Sequence, residues 1–321
     1  MSARISLVAD IGATNARFGL LDESGAVIHS QILACADHPG LEDAAEAYLG
    51  MAAPADVPRQ GAVAIAGPVT GDVIQMTNHP WVFSVRRARE RLGLDRLIAV
   101  NDFTAAAMSV PALGENDRQQ VGDGTPAAGE VIGVLGPGTG LGVSGLVPGR
   151  QGGWRALSGE GGHITMAPVS DRESAVLTQL RKQYDHVSAE RLLSGMGLVN
   201  LYHSISLLDG REPEALVPKD VTARGLDASS PQCVEALEMF CAMLGTVAGN
   251  LALTLGARGG IFIAGGIVPR LGPFFAHSRF RKRFVEKGRM RAYLGPIPTY
   301  VMTHPLPAFL GLKVVLDQDE G

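Results

Sequence analysis

The stretch Ala9-Asp-Ile-Gly-Ala-Thr-Asn-Ala-Arg17 decides the fold, because it places a carboxylate and a glycine turn between two short apolar runs. These runs, 5–10 and 16–21, predict two strands of an antiparallel meander whose third strand is 26–33. Asp10 would end the first strand, Gly12 allows a sharp turn, and backbone N–H groups beside a carboxylate suit a phosphate with its hydrated Mg²⁺. An ordinary hairpin explains the same residues equally well.

A second glycine turn lies at Gly136-Pro-Gly-Thr-Gly-Leu-Gly142, again after a predicted strand. Residues 131–135 and 141–147 repeat the opening pattern of strand, glycine turn and strand, which indicates two lobes built on the same plan. Backbone N–H groups that have no partner at such a turn can bind an anion. The spacing also satisfies G-x-G-x-x-G, but no helix follows, which argues against a dinucleotide fingerprint.

Polar residues that could bind hydroxyls follow other predicted elements. Asn101 and Asp102 come after a strand, where a helix N-cap and a carboxylate that accepts a hydroxyl proton are equally good interpretations. Glu160 and His163 flank two glycines. Glu190 falls in the first turn of a predicted helix, where acidic residues are common anyway. The sequence alone does not bring these residues together.

A glycine pair, Gly265-Gly266, ends the predicted strand 260–264 before a further helix near Pro269. Such a pair would let a flat base lie on the backbone, although simple packing of a strand against a helix is the more common explanation.

Composition excludes several classes of protein. The chain has 321 residues, 46% of them hydrophobic and 19% charged, and a net charge of −4 without a basic block. It therefore lacks the electrostatic footprint of a nucleic-acid-binding protein. Its three cysteines are widely spaced, which argues against a zinc site or disulfides and fits a reducing cytoplasm. We expect no signal peptide, since Asp10 interrupts any apolar segment at the N-terminus.

An uncharged stretch at 239–257 raises the question of a membrane span, for which about 20 residues are needed. We predict a buried helix in a large core instead, and no membrane. The other helices are predicted at 41–51, 85–92, 103–110, 170–183, 188–193, 198–207, 231–255 and 308–317, and further strands at 61–66, 97–100 and 300–303.

In combination, these segments resemble the superfamily of sugar kinases, heat-shock ATPases and actin. The resemblance is carried by two phosphate loops, an adenosine loop and two connecting helices, which are Ala9–Arg17, Leu135–Gly142, Ile263–Gly266, Val100–Ala107 and Gly245–Gly256. Within that superfamily the chain is similar to the bacterial ATP-dependent glucokinases from end to end. Four further segments strengthen this similarity: Gly67–Asp72, Met76–Trp81, Leu157–His163 and Leu193–Asn200.

The resemblance implies an α/β chain with the two-lobed, ribonuclease H-like fold of actin-like ATPases and a cleft between the lobes. The small lobe would contain 1–111 and 304–321, and the large lobe 112–303. The implied reaction is ATP-dependent phosphorylation of D-glucose at the 6-hydroxyl, giving glucose 6-phosphate and ADP. A cytoplasmic homodimer is expected.

The resemblance also implies the site residues. Asp102 is the general base, and Asp10 holds Mg²⁺ through water. The sugar ligands match Asn101, Asp102, Glu160, His163, Glu190, Gly67, Pro68 and Asn78. The ATP ligands match Asp10, Ile11, Gly12, Ala13, Thr14, Asn15, Arg17, Gly138, Thr139, Gly140, Gly265 and Gly266. The sister ROK family carries a cysteine-rich zinc motif that is missing from this sequence, so we predict no zinc. A related hexose kinase and a catalytically silent sugar sensor are the alternatives.

Overall fold

The computed structural model describes residues 5–54, 57–76, 79–149 and 152–318. The strands are β1 (Ser6–Ile11), β2 (Asn15–Leu21), β3 (Val27–Ala34), β4 (Gln60–Ile65), β5 (Val73–Gln75), β6 (Val82–Ser84), β7 (Arg96–Asn101), β8 (Arg118–Gln120), β9 (Ile132–Pro137), β10 (Leu141–Pro148), β11 (Trp154–Gly159), β12 (Gly260–Ile263) and β13 (Thr299–Met302). The helices are α1 (Leu41–Ala52), α2 (Val85–Arg91), α3 (Asp102–Met108), α4 (Asp171–Leu180), α5 (Gly195–Leu208), α6 (Pro218–Leu226), α7 (Pro231–Leu255), α8 (Ile267–Leu271), α9 (Pro273–His277), α10 (Phe280–Val285), α11 (Arg291–Leu294) and α12 (Pro307–Gln318).

The chain divides into two compact units, and the first contains the described residues of 1–113, 151–156 and 304–321. Its five-stranded sheet has the order β3-β2-β1-β4-β7, with β1–β2 antiparallel and β1–β4 and β4–β7 parallel. Apolar side chains of β1 alternate between two cores, because Leu7 packs in the cluster that includes α1 and Val8 in the one that includes α12. The sheet is therefore covered on both faces.

The second unit contains the described residues of 114–150 and 157–303. Its sheet has the order β11-β10-β9-β12-β13-β8, where β9–β10 is an antiparallel hairpin and β9–β12 and β12–β13 are parallel. The first five strands thus repeat the order of the first unit. This repeat confirms the prediction from the two glycine turns that both halves follow the same plan.

Helix α7 explains the long uncharged stretch. By length and composition the helix could cross a membrane, but 78% of its most apolar window is buried. Its side chains, Leu237, Phe240 and Leu244 among them, form the centre of the second unit's hydrophobic core. The prediction of a buried core helix is confirmed.

Several predicted elements differ from the structure. The helix predicted at 188–193 is wrong: the segment forms only a 3₁₀ turn at Ala189–Arg191. Ser194 is extended and caps α5, accepting a hydrogen bond from the Gly197 N–H, so a helix cannot run through it. Strand β11 and helix α6 were missed, although Pro218 at the first position of α6 is a typical start signal.

Candidate functional site

The first glycine turn connects β1 to β2 and is anchored by Cys35. The Gly12 N–H donates to the Asn15 carbonyl at 2.9 Å, which closes the turn. The Cys35 N–H donates to the Thr14 carbonyl at 2.9 Å, and its thiol donates to the Gly12 carbonyl at 3.4 Å. The role of Cys35 could not be predicted, because a single cysteine in an apolar run carries no signal of such a contact.

Asp10 lies near the end of β1, directly opposite Arg17 of β2. Burial, and then the negative charge of Asp102, raise the pKa of Asp10 from 3.8 to about 6, while the charge of Arg17 opposes the shift. The strand therefore presents a carboxylate whose negative charge is costly to maintain. A cation beside it would stabilise the ionised form.

Asn101 is the last residue of β7 and the N-cap of α3, whose first residue is Asp102. The Asn101 side-chain oxygen accepts hydrogen bonds from the N–H groups of Phe103 and Thr104, both at 3.0 Å. Its Nδ2 donates to the Gly67 carbonyl at 3.1 Å. The N-cap interpretation of Asn101 is confirmed. The same side chain fixes the position of Gly67, whose φ of 149° favours glycine.

Asp102 itself is in the first turn of α3, where its Oδ1 accepts the Phe103 N–H at 2.7 Å. The helix dipole favours a negative charge at this end. Asp102 lies near enough to Asp10 for its charge to act on that group.

The second glycine turn connects β9 to β10 and is held from two sides. The Gly138 N–H donates to the Gly140 carbonyl at 2.8 Å, and the Gly195 N–H donates to the Gly138 carbonyl at 2.9 Å. On the other side, the Leu141 N–H donates to the Glu190 carboxylate at 2.8 Å. The structure therefore brings Glu190 to the phosphate loop predicted at 138–140.

Glu160 precedes, and His163 ends, the 3₁₀ turn Gly161–His163, which packs on β10. Their side chains approach to 3.9 Å between Oε2 and Nε2, and both are largely exposed. The two glycines between them are required by packing: a Cβ on Gly161 would lie 2.8 Å from a Val143 methyl, and one on Gly162 would overlap the Leu141 carbonyl. The turn thus presents an acid and an imidazole together.

A cavity of about 790 Å³ in the second unit gathers three of the predicted ATP residues, and its size is in the range of small-molecule sites. Gly138, Thr139 and Gly266 line it, together with residues of α5, α6 and α8, including Met196, Pro218, Lys219, Leu226, Ile267 and Arg270. Gly265 has a φ of 83°, and a Cβ there would overlap the Pro137 carbonyl, so only glycine fits. The missed helix α6 forms one wall of this cavity.

The predicted residues fall into two groups by unit. The first unit contains the described members up to Asp102, and the second contains those from Gly138 onward. Ile11 is fully buried in the first unit's core, and its carbonyl accepts the Ala66 N–H at 3.0 Å. Ala13 and Pro68 lie in the connections after β1 and β4. Asn78 lies outside the described residues.

Comparison with known proteins agrees with these features. The sequence matches the Glucokinase family over residues 7–319. A glucokinase from Paramagnetospirillum magneticum is 53% identical over 310 residues, with 97% of each chain covered. One from Aromatoleum aromaticum is 50% identical, covering 97% of this chain and 94% of its own length.

Solved structures agree as well. A glucokinase from an Antarctic psychrotroph has a TM-score of 0.90 at 35% identity, covering 98% of this chain and 99% of that one. A ROK-family glucokinase from Streptomyces griseus, in complex with glucose and AMPPNP, has a TM-score of 0.65 at 20% identity and full coverage of both chains, so it shares the fold. The α/β architecture is that of the actin-like ATPases, as predicted, and the chain belongs to the glucokinase family.

Proposed function

We propose that this chain transfers the γ-phosphoryl group of ATP to the 6-hydroxyl of D-glucose, giving glucose 6-phosphate and ADP. The observation that carries the proposal is identity of about half the residues, over nearly the whole chain, to proteins named glucokinases. The cavity beside the second glycine turn supports it, since a nucleotide needs such a site next to an anion-binding loop.

In this proposal Asp102 is the general base. Its carboxylate accepts the proton of the 6-hydroxyl as the sugar oxygen forms its bond to the γ-phosphorus and the bond to the ADP oxygen breaks. The position supports the role, because the side chain is held in the first turn of α3 by its bond to the Phe103 N–H. It also follows the carboxyl end of a parallel strand, which is where α/β sheets bind their ligands.

The two glycine turns would bind the phosphates. Backbone N–H groups at such turns stabilise anions, and Thr14, Asn15, Arg17 and Thr139 add side-chain donors. Arg17 is the charged member and lies opposite Asp10. These groups stabilise the charge that spreads over the γ-phosphoryl oxygens during transfer. Gly265 and Gly266 would contact the adenosine.

Mg²⁺ fits the carboxylates of the first unit. The described residues contain no cluster of three His, Cys, Asp or Glu side chains that could cage a metal. Mg²⁺ bound with a nucleotide usually takes one or two carboxylates and keeps several waters. Asp10, close to the charge of Asp102, meets that need and would hold the ion through water. The bound ion would neutralise charge on the β- and γ-phosphates.

Selectivity for the sugar would come from paired hydroxyl contacts. We assign these to Asn101, Asp102, Glu160, His163 and Glu190, whose donors and acceptors match hydroxyl groups. Gly67, Pro68 and Asn78 would complete the site. A site built to bond a hydroxyl can reject an analogue that lacks it by about 10⁴–10⁵-fold. The cytoplasmic location and the homodimer stay predictions, and light scattering measures the second.

A coupled assay for ADP release tests the proposal, with MgATP, a panel of hexoses and a control without sugar. We expect ADP release that requires glucose and gives glucose 6-phosphate. Release with mannose, fructose or an amino sugar instead would support the related hexose kinase. Glucose binding without turnover would support the silent sensor and contradict the role of Asp102.

A further inference from the structure

Leu141, the first residue of β10, contacts Glu190 through its N–H and packs through its carbonyl against the turn that carries Glu160 and His163. Its N–H donates to Oε2 of Glu190 at 2.8 Å. Its carbonyl lies directly against Gly162, inside the turn that carries Glu160 and His163, with no room for a Cβ between them. The end of the second phosphate loop is therefore built against residues assigned to the sugar.

Gly140, the last residue of the loop, lies directly against the same carboxylate. The three heavy atoms nearest to a Cβ built there all belong to Glu190: Oε2 would overlap it, Cδ would lie at 3.2 Å and Oε1 at 4.0 Å. A glycine here leaves room for Oε2 of Glu190 to approach the loop. A side chain at 140 would force Glu190 away from the Leu141 N–H.

The backbone that carries Glu190 is itself fixed. The Ala189 N–H donates to the Ile164 carbonyl at 2.8 Å, and the Leu192 N–H donates to the Ala189 carbonyl at 3.1 Å. The Glu190 side chain thus extends from a short, well-anchored turn. Its hydrogen bond to the loop is therefore a specific tertiary contact.

We propose that Glu190 is a positioning residue that couples the sugar to the second phosphate loop. This inference rests on the proposed function, in which Glu190 also binds glucose. A carboxylate has two oxygens with about four acceptor positions. Oε2 holds the Leu141 N–H while Oε1 accepts a sugar hydroxyl, so one side chain makes both bonds.

The coupling has a sign that can be measured, since each ligand should tighten the binding of the other. A sugar hydroxyl on Oε1 fixes the carboxylate and with it the bond from Oε2 to Leu141, so the loop is ordered before the nucleotide arrives. Glucose therefore tightens nucleotide binding, and by linkage the nucleotide tightens glucose binding by the same factor. If a residue only binds sugar, its substitution leaves nucleotide affinity unchanged when sugar is absent.

Calorimetric titration of the full chain with ADP and Mg²⁺, with and without saturating glucose, tests this. We expect glucose to tighten ADP binding to the wild type by about tenfold. In Glu190→Ala, ADP binding in the absence of sugar weakens by about tenfold, because the bond to a charged acceptor is lost. Glucose then no longer changes the ADP affinity of this variant. Glu190→Gln keeps an oxygen for the Leu141 N–H, so its sugar-free ADP affinity stays near the wild-type value while its glucose KM rises.

A control variant is Glu130→Ala, which removes another acid of the same unit that pairs with Arg258 at the surface. It should bind ADP as the wild type does. Wild-type ADP affinity in Glu190→Ala without sugar would overturn the proposal, whatever happens to the glucose KM. Because this measurement needs no turnover, it tests loop positioning even if the coupled assay shows that glucose is not the substrate.

Gly140→Ala should disrupt the bond between the Leu141 N–H and Glu190 by a change in the loop. Its Cβ would displace the Glu190 carboxylate, so ADP affinity should fall as in Glu190→Ala. The double variant should then be no worse than either single one, since the clash and the bond disappear together. Losses that add in the double variant would contradict the coupling, and equal thermal melting of all variants would show that they are folded.

Discussion

The carboxylates of Asp10 and Asp102 repel each other across three strands of one sheet. In the parallel register of β1, β4 and β7, Asp10 is aligned with Ala64, and Ala64 with Val100, two residues before Asp102. Neighbouring strands are about 4.8 Å apart, and the Asp102 charge contributes to raising the pKa of Asp10. The fold therefore maintains a pair of acids at a cost in stability, at the place where we propose the metal and the proton transfer.

Replacing Asp10 by asparagine should stabilise the protein at neutral pH. The pKa of Asp10 is raised from 3.8 to about 6, so its contribution to folding is most favourable below pH 4 and is lost as the pH rises through 6. Asp10→Asn should therefore gain about 2–3 kcal/mol in free energy of unfolding at pH 7.5, and about half of that near pH 5. Urea denaturation at the two pH values measures the gain.

Asp95→Asn is the matched control, because Asp95 is exposed and pairs with Arg59 at the surface. It should show no such gain at either pH. The stabilised Asp10→Asn should also lose kinase activity, which is the usual exchange of function for stability at an active site. Equal unfolding midpoints for wild type and Asp10→Asn at pH 7.5 would contradict the cost assigned to this carboxylate.

Asp102→Asn should separate chemistry from binding. The amide oxygen can still accept the Phe103 N–H that Asp102 accepts at 2.7 Å, so α3 and the sugar ligands stay in place. Without a base, turnover should fall by about 10²–10⁴-fold, while glucose binding changes only a few-fold. The coupled assay gives the first quantity and calorimetric titration with glucose the second. Retained turnover would remove Asp102 from the role of base.

Glu160→Gln should weaken the recognition of glucose. Its carboxylate is exposed and lies 3.9 Å from the His163 ring, so the substitution removes a charged acceptor without leaving a buried gap. We expect the glucose KM to rise by about tenfold or more, as for loss of a hydrogen bond to a charged group. Glu130→Gln, away from this turn, should leave the KM unchanged. An unchanged KM in Glu160→Gln would show that the Glu160 carboxylate does not bind the sugar.

The two hairpins and their repeat could be predicted from the sequence because their signals are local. Short apolar runs around glycine turns specify strands within a few residues, and Asn101 combines a strand end with a helix start. Helix α6 carried a local start signal in Pro218. It was missed because the segment is short and polar on average, with few large apolar side chains to mark a buried face.

The contacts that define the candidate site are different, since they join residues far apart in the chain. Glu190 reaches Leu141 across 49 positions, and Cys35 reaches Gly12 across 23. Neither contact can be predicted from the spacing or the periodicity of residues in the sequence. The helix predicted around Glu190 was wrong for the same reason: the cap of the next helix and the contact with the phosphate loop decide the conformation there.

Breaking a buried ion pair in the second unit should strongly destabilise the helices that it joins. Arg283 of α10 donates to Glu173 of α4 at 2.6 Å and to Thr246 of α7 at 2.8 Å. Both charged side chains are about 5% exposed or less. Removing one partner leaves the other charge buried and uncompensated, so Glu173→Leu or Arg283→Met alone should cost about 3–5 kcal/mol in free energy of unfolding.

The double variant Glu173→Leu with Arg283→Met should be more stable than either single one, because no charge is left buried. The surface pair of Glu130 and Arg258 gives the comparison: Glu130→Gln should cost less than about 1 kcal/mol. Urea denaturation of the five proteins measures all of these values. If the single variants lose no more free energy of unfolding than Glu130→Gln does, water must reach the pair, and its charges are not held in the core. If the double variant is the least stable protein, the pair itself stabilises the three helices, and the unpaired charge is not the cause of the loss.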